Sequence, residues 1–439
     1  MVWGALLSRN TERRAYSLTG VWSLKILRRS ISALPSVFTA AALLMCCLFS
    51  GCAEDPYDSD DFDEGSYNIY SNGTSIHIEE EPELQQDGAF YIPEGMTAQY
   101  ASERIPEEQQ EIYYEIVESI RNFEPVIYMK TDSAVYSELL NIISIEQLSF
   151  GHMAGRRAGE YDVNTGMFPI EFTYRFTPEE MSNMNRFSEA AANRIMEGVT
   201  EDMSEYDILK YFHDYLIKNC VSDEEDIYAN TIYGALVNGK ALCEGYAKAF
   251  SYLCNKAGIE NTIVTGMTNV PHMWNAVKLD GNWYHIDVTW DKPGGQFGEA
   301  FPDMVMYQYF LVTDSVIEND HEIWTVGTAP PQCLSEKENY FIKENLYVDS
   351  EEDMGKVIEA ALSKAISEKA SSVSVKFDTT NLYISAMNDL NDPETELNSS
   401  VKKEIEALSE EYGVKPIISW TDIYNYRIIV FILDYKQTP

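Results

Sequence analysis

The sequence predicts an α+β protein in which a cysteine opens a helix packed on an antiparallel sheet, flanked by two smaller α+β domains. Three observations predict it. From Cys243 onward, Tyr246, Phe250, Leu253 and Ala257 recur at helical spacing, and Gly258 follows as a left-handed cap. Two alternating runs, 272–279 and 282–287, flank Asp280-Gly281, a strong two-residue hairpin signal. On both sides of this centre, helix and strand patterns alternate without any site chemistry.

In chain order, residues 1–51 read as a lipoprotein-type signal peptide. Arg9, Arg13, Arg14, Lys25, Arg28 and Arg29 precede a charge-free apolar run, 31–49, that ends in Phe49-Ser50-Gly51-Cys52. Cys52 after small residues resembles the bacterial lipobox, which implies lipid attachment at that cysteine. The alternative is an uncleaved signal anchor. Either way the rest of the chain is expected outside the cytoplasm, held at the cell surface. Residues 52–76, rich in Asp, Ser and Tyr, read as a disordered acidic tether. Residues 77–200 form an expected N-terminal supporting domain, with a helix over 106–123 and a strand over 168–176. A helix start follows at Thr177-Pro178-Glu179-Glu180. Residues 201–335 form the expected core. It opens with a helix over 204–219 capped by Ser204, whose stripe is Tyr206, Leu209, Phe212, Tyr215 and Leu216. An acidic loop, 221–226, and a short element, 230–237, lead to Asn238-Gly239. Residues 338–439 form an accessory domain of predicted order β-α-β-α-β-β, with a helix from Ser350 and strands over 373–377 and 428–433.

Charge narrows the partners. The chain has 71 acidic and 32 basic side chains and a formal net charge of −39. Such a surface repels phosphate backbones, so nucleic acid is not expected, and cationic partners are mildly favoured. Of seven cysteines, Cys46 and Cys47 lie in the leader and Cys52 takes the lipid. Cys220, Cys243, Cys254 and Cys333 are too sparse for a disulfide framework. No Cys-x-x-Cys, His-x-x-His or calcium-loop spacing occurs, so neither metal nor cofactor is expected.

The chemistry concentrates in three stretches: Cys243 with its neighbours, His272-Met273-Trp274-Asn275, and Trp283 to Asp287. The amide end of a helix carries partial positive charge and free N–H donors. Both favour a thiolate and can stabilise the oxyanion formed when sulfur attacks a carbonyl. The Asp280-Gly281 turn pairs Leu279 with Asn282, which carries His272 opposite Thr289 and sets Asp287 diagonally on the same face. An imidazole and a carboxylate so placed can hydrogen-bond, leaving the other ring nitrogen for the thiol. That supplies nucleophile, general base and orienting acid. A register slip of one residue would separate them. Read singly, Cys254 is a buried structural thiol, Asp287 a strand-end cap, and His285 a rival base on the same face.

These motifs resemble the transglutaminase-like superfamily of papain-like cysteine enzymes. Its pattern runs Gly-x-x-x-Cys-x-Gly-Tyr-Ala-x-Ala-Phe, His-Ala-Trp-Asn, then Trp-Tyr-x-x-Asp-x-Thr-Trp. Residues Gly239 to Phe250 and Trp283 to Trp290 fit it, and His272 to Asn275 fit with Met273 in place of Ala. Asp291 and the run Tyr309 to Asp314 also match bacterial members. The resemblance covers roughly residues 204–320. It implies a papain/transglutaminase-like core with Cys243 as nucleophile, His272 as base and Asp287 as orienting acid. It further suggests Tyr233 as an aid to the oxyanion, although a core tyrosine is an equal reading, and Trp274 as a roof over the acyl site. Asn275 is expected to be a structural hydrogen bonder, and Trp290 and Tyr246 to pack. The function so implied is acyl transfer or hydrolysis at peptide or protein amides through a thioester. The alternative is a non-catalytic surface scaffold that uses the fold for binding.

Overall fold

The structure is a computed structural model that describes residues 68–71, 74–77, 91–98, 100–129, 133–150, 153–163, 165–302, 304–412 and 416–435. Residues 1–51, the expected signal peptide, and Cys52 lie outside the described residues. Where a tether was expected, Asn68–Ser71 and Thr74–His77 pair as an antiparallel hairpin. In sequence Asn72-Gly73 joins them, a dipeptide that favours tight hairpins and that outweighs the polar composition.

Reciprocal caps start the helices leading into the core. Thr177 and Glu180 cap Pro178–Met196, and Ser204 and Asp207 cap Glu205–Asn219. The second helix buries Tyr206, Leu209, Phe212 and Leu216, together with His213. A five-residue π-helical turn, Gly234–Asn238, follows and ends at Gly239 with φ of 64°. Beyond it lies the helix Cys243–Lys256, which ends before Gly258 at φ of 74°.

That helix lies against an antiparallel five-stranded sheet, in the order Glu322–Ile323, Asn261–Met267, Pro271–Leu279, Asn282–Ile286 and Phe310–Val312. The central hairpin has the register read from its turn: Leu279 faces Asn282 and Asn275 faces Ile286. Asp280 and Gly281 both adopt positive φ, as a type I′ turn requires. Asn275 faces the helix and donates to the Ala247 carbonyl at 3.0 Å.

N-terminal to this core, Val126–Met129, Phe168–Tyr174 and Met153–Ala158 make a three-stranded antiparallel sheet with its own apolar cluster. C-terminal to it, Tyr347–Val348, Ser372–Phe377, Ile428–Asp434 and Ile417–Ile423 make a four-stranded sheet in that order. Its apolar side chains are continuous with those of the central core. The element order over 338–439 is α-β-α-β-α-α-β-β, two helices more than predicted: the short Tyr340–Lys343 precedes the first strand, and the second helical stretch is divided. Thr380–Asn391 and Glu396–Tyr412 are separate helices. Pro393 causes the break, because the residue before a proline is disfavoured in helical conformation.

The approach to Cys243 is held by backbone bonds. Val221 N–H donates to Gly239 O, Ala241 N–H to Val221 O, and Leu242 N–H to Ala229 O at 2.9 Å. Gly245 makes this approach possible, since a Cβ there would stand 2.2 Å from the Ala229 carbonyl oxygen. Replacing a helical glycine by alanine ordinarily stabilises by up to about 1 kcal/mol. Here the clash should win: Gly245→Ala is expected to lose about 1–3 kcal/mol, as overpacked sites do. Chemical denaturation checks the sign, and a more stable variant would contradict the close approach.

Candidate active site

Cys243 is the first residue of its helix, and Leu242 at the N-cap supplies no side-chain cap. The N–H groups of the first turn are therefore free of side-chain competition and face the end where the sulfur sits. Among the described residues Cys243 is half-buried, whereas Cys220, Cys254 and Cys333 are buried. Burial pushes the Cys220 thiol up to about 12 and raises those of Cys254 and Cys333 as well.

His272 lies near the start of strand Pro271–Leu279, and Asp287 follows the end of its partner strand. Regular pairing stops at Asn275 and Ile286, yet the continuing chains keep the two side chains on one face. His272 Nε2 stands 2.7 Å from Asp287 Oδ2, with both side chains buried. The strand-end reading of Asp287 holds as well. Its Oδ1 accepts from the Thr289 and Trp290 amides at 3.0 and 3.1 Å. One oxygen caps the turn and the other takes the imidazole.

Burial opposes a charge on His272, but the Asp287 carboxylate and a hydrogen bond with Cys243 outweigh it and raise its pKa to about 10. Burial likewise opposes ionisation of Asp287, but His272 and His321 hold its carboxyl far below the usual carboxylate range. The sequence-predicted residues Cys243, His272 and Asp287 thus come together as a connected group.

The other candidates separate from it. His285 accepts at Nδ1 from the Trp274 indole N–H at 3.0 Å, and its Nε2 stands 3.0 Å from Asp314 Oδ1. Both nitrogens are engaged, and burial lowers its pKa, so it does not serve as the rival base. Trp274 is only 1% exposed, and its ring stacks on His272 at 5.9 Å. It forms a wall behind the imidazole. Trp290 is half-buried, with its ring 5.9 Å from that of His272, so it touches the site as well as packing. Tyr233 precedes the π-helical turn, with its ring centroid 5.1 Å from that of Tyr228 in a T-shaped contact. Tyr246 is buried on the Cys243 helix.

One participant carries no signal in local spacing. His321 is buried, and its Nε2 lies 3.1 Å from the same Asp287 Oδ2. Thirty-four residues separate the two in sequence, and only the fold brings them together. Two groups among the described residues, His272-Asp287-His321 and His285-Asp314-Cys333, have ligand atoms within 4.8 Å of one another. In the second group His285 Nδ1 accepts from Trp274, which puts the ring proton on Nε2, the atom that faces Asp314. A metal there would have to displace that proton. In the first group the two ring nitrogens are already bonded to Asp287 Oδ2.

Residues 189–288 match the family description "Transglutaminase-like superfamily", so this segment is similar to that superfamily. The chain is 29% identical over 140 residues to the Kyphoscoliosis peptidase of Mus musculus, a match over 27% of this chain and 20% of that protein. It is 29% identical over 152 residues to the Homo sapiens protein, over 30% of this chain and 22% of the relative. The chain therefore spans about a fifth of the length of these relatives. Among solved structures it is similar to that of a TGase, at 19% identity and a TM-score of 0.23, over 39% of this chain and 52% of the other.

The His272–Asp287 pair makes stability pH-dependent. The His272 pKa lies above its unfolded value, so its contribution is complete below about pH 6.5 and is lost as pH climbs through about 10. Asp287 lies below its unfolded value, so its contribution is complete above about pH 4 and is lost in stronger acid. The urea midpoint of the wild type should fall between pH 7 and 10 (roughly the range spanned by these pKa values), and that of Asp287→Asn should fall less. Parallel declines would show that Asp287 does not hold the imidazolium.

Proposed function

We propose that the protein is an extracytoplasmic cysteine enzyme acting on peptide or protein amides, with Cys243 as nucleophile, His272 as general base and acid, and Asp287 as the orienting carboxylate. The observation that carries this reading is the 2.7 Å bond from His272 Nε2 to a buried carboxylate, with the other side of the ring turned to a half-buried cysteine at a helix start. The superfamily match over 189–288 agrees with it. The signal-like sequence over residues 1–51, with Cys52 as the lipid-bearing residue, supports placement at the cell surface.

The chemistry follows from the geometry. The Cys243 sulfur attacks the amide carbonyl while the uncapped N–H groups of the first helical turn receive the oxyanion. Collapse of the tetrahedral species breaks the C–N bond. His272 gives its proton to the departing nitrogen, which leaves a thioester on Cys243. His272 then takes a proton from the incoming water or amine, and the acyl group leaves the sulfur. Asp287 keeps the ring in one tautomer and balances its charge through both steps. Water as acceptor gives hydrolysis, the reaction class named for the peptidase relatives, and a lysine amine gives a cross-link. The net charge of −39 favours a cationic substrate.

Iodoacetamide labelling of the soluble chain from residue 53, read by mass spectrometry across pH, tests this reading. Cys243 should label at least about tenfold faster than Cys220, Cys254 or Cys333 at pH 7, where an ordinary thiol is a few per cent thiolate. His272→Ala should remove most of that advantage. Equal labelling of all four, unaffected by His272→Ala, would leave a fold used for binding in place of an enzyme.

A further inference from the structure

The loop that follows strand Phe310–Val312 returns beneath the hairpin with two adjacent residues, Asp320 and His321, that the chemistry above does not use. His321 is enclosed. Its ring centroid lies 4.6 Å from that of Trp290, 5.0 Å from Trp274 and 5.2 Å from Tyr309. Its two nitrogens address two different carboxylates, Nε2 to Asp287 Oδ2 at 3.1 Å and Nδ1 to Asp320 Oδ1 at 2.6 Å. The other oxygen of Asp320 accepts the Tyr309 hydroxyl at 2.7 Å and the Tyr426 hydroxyl at 2.6 Å. Tyr426 comes from the C-terminal sheet, in the 3-10 turn Tyr424–Tyr426 joining its last two strands, 106 residues away from Asp320.

We propose that His321 is a positioning residue that acts on His272 through Asp287, and that Tyr426 of the C-terminal sheet holds His321 in place through Asp320. Orientation of a buried ring depends on how firmly its hydrogen-bond partner is itself held. Asp287 Oδ1 is tied to its own turn by two amides, and Oδ2 carries both imidazoles. Removing His321 leaves that oxygen with one imidazole partner where it had two, and a void among Trp274, Trp290 and Tyr309 into which the carboxyl and His272 can shift. Tyr426 extends the same restraint to a separate sheet, so the C-terminal part of the chain becomes a component of the site. The titratable groups facing His321 are Asp287, His272, His285, Asp320, Tyr309 and Tyr426. His321→Asn removes the bridge between the two carboxylates, and Tyr426→Phe removes a single hydroxyl.

The proposal rests on the triad reading, and a double-mutant cycle separates the two. The rate and pH profile of Cys243 alkylation by iodoacetamide are measured for wild type, His321→Asn, Tyr426→Phe, His272→Ala and the His272→Ala/His321→Asn double variant, all in the same chain. His321→Asn should slow Cys243 alkylation at pH 7 by about tenfold, the scale on which outer hydrogen-bond partners orient a reactive imidazole. It should also move the onset of labelling to higher pH. In the His272→Ala background it should change nothing, because it acts only through that ring. Tyr426→Phe should shift the profile in the same direction by less, with little change in thermal midpoint, and it keeps the test alive if His321→Asn does not fold. Equal slowing in both backgrounds, or an unmoved profile in His321→Asn or Tyr426→Phe, overturns the proposal while the triad stands. An unchanged rate in His272→Ala removes the triad reading and the proposal with it.

Discussion

One carboxylate organises this site. Asp287 is fully buried and has four hydrogen-bond partners: the Thr289 and Trp290 amides donate to Oδ1, and the His272 and His321 rings meet Oδ2. A buried carboxylate costs several kcal/mol, roughly, unless it is well paired, and four partners meet that requirement. Because both oxygens are committed, the carboxyl group cannot turn without breaking a backbone cap. The turn after the hairpin, the strand that carries His272 and the loop that carries His321 are thereby fixed relative to one another. Cys243 is half-buried, whereas His272, Asp287 and His321 are buried.

The same pairing of imidazole with carboxylate recurs around the core. His285 joins Trp274 to Asp314, whose Oδ1 also accepts the Cys333 amide at 3.0 Å. His213 on the helix Glu205–Asn219 reaches Asp291 Oδ2 at 3.1 Å, and Asp291 Oδ1 accepts the Tyr309 amide. These pairs knit the sheet to its helices and hold the aromatic wall behind His272. They differ from the His272–Asp287 pair in one respect. Both nitrogens of His285 and of His213 meet fixed partners inside the protein, whereas the second side of His272 meets a cysteine at the surface of the fold. The chemistry is assigned by what the free nitrogen faces, and burial alone would not distinguish these rings.

Much of this was legible before the structure, for definable reasons. Asp280-Gly281 allows few turn geometries, so the hairpin register and the shared face of His272 and Asp287 follow from it. Asn275 against the Cys243 helix and the capping boxes at Thr177 and Ser204 follow from equally local rules. His321 and Tyr426 were not legible, because nothing in a lone histidine after Asp320 or a tyrosine in a distant turn says which carboxylate it will meet. Those contacts depend on how a loop and a second sheet pack. Nor could spacing tell that Asp314 would belong to His285. The pairing of Asn68–Ser71 with Thr74–His77 lies in a polar, acidic composition that obscures its strand signal, and Pro393 divides the C-terminal helices Thr380–Asn391 and Glu396–Tyr412 by a local rule that apolar periodicity does not express.

Asp287 engages His272 and His321 together and leaves His285 alone. Imidazole nitrogen spectra of the wild type and Asp287→Asn, recorded across pH, test this most directly. The resonances of both His272 and His321 should move in the variant. The titration of His272 should fall from about 10 toward the ordinary histidine value of about 6.5, while His285 stays where it was. A variant in which only one of the two rings responds, or in which His285 moves with them, would contradict the account.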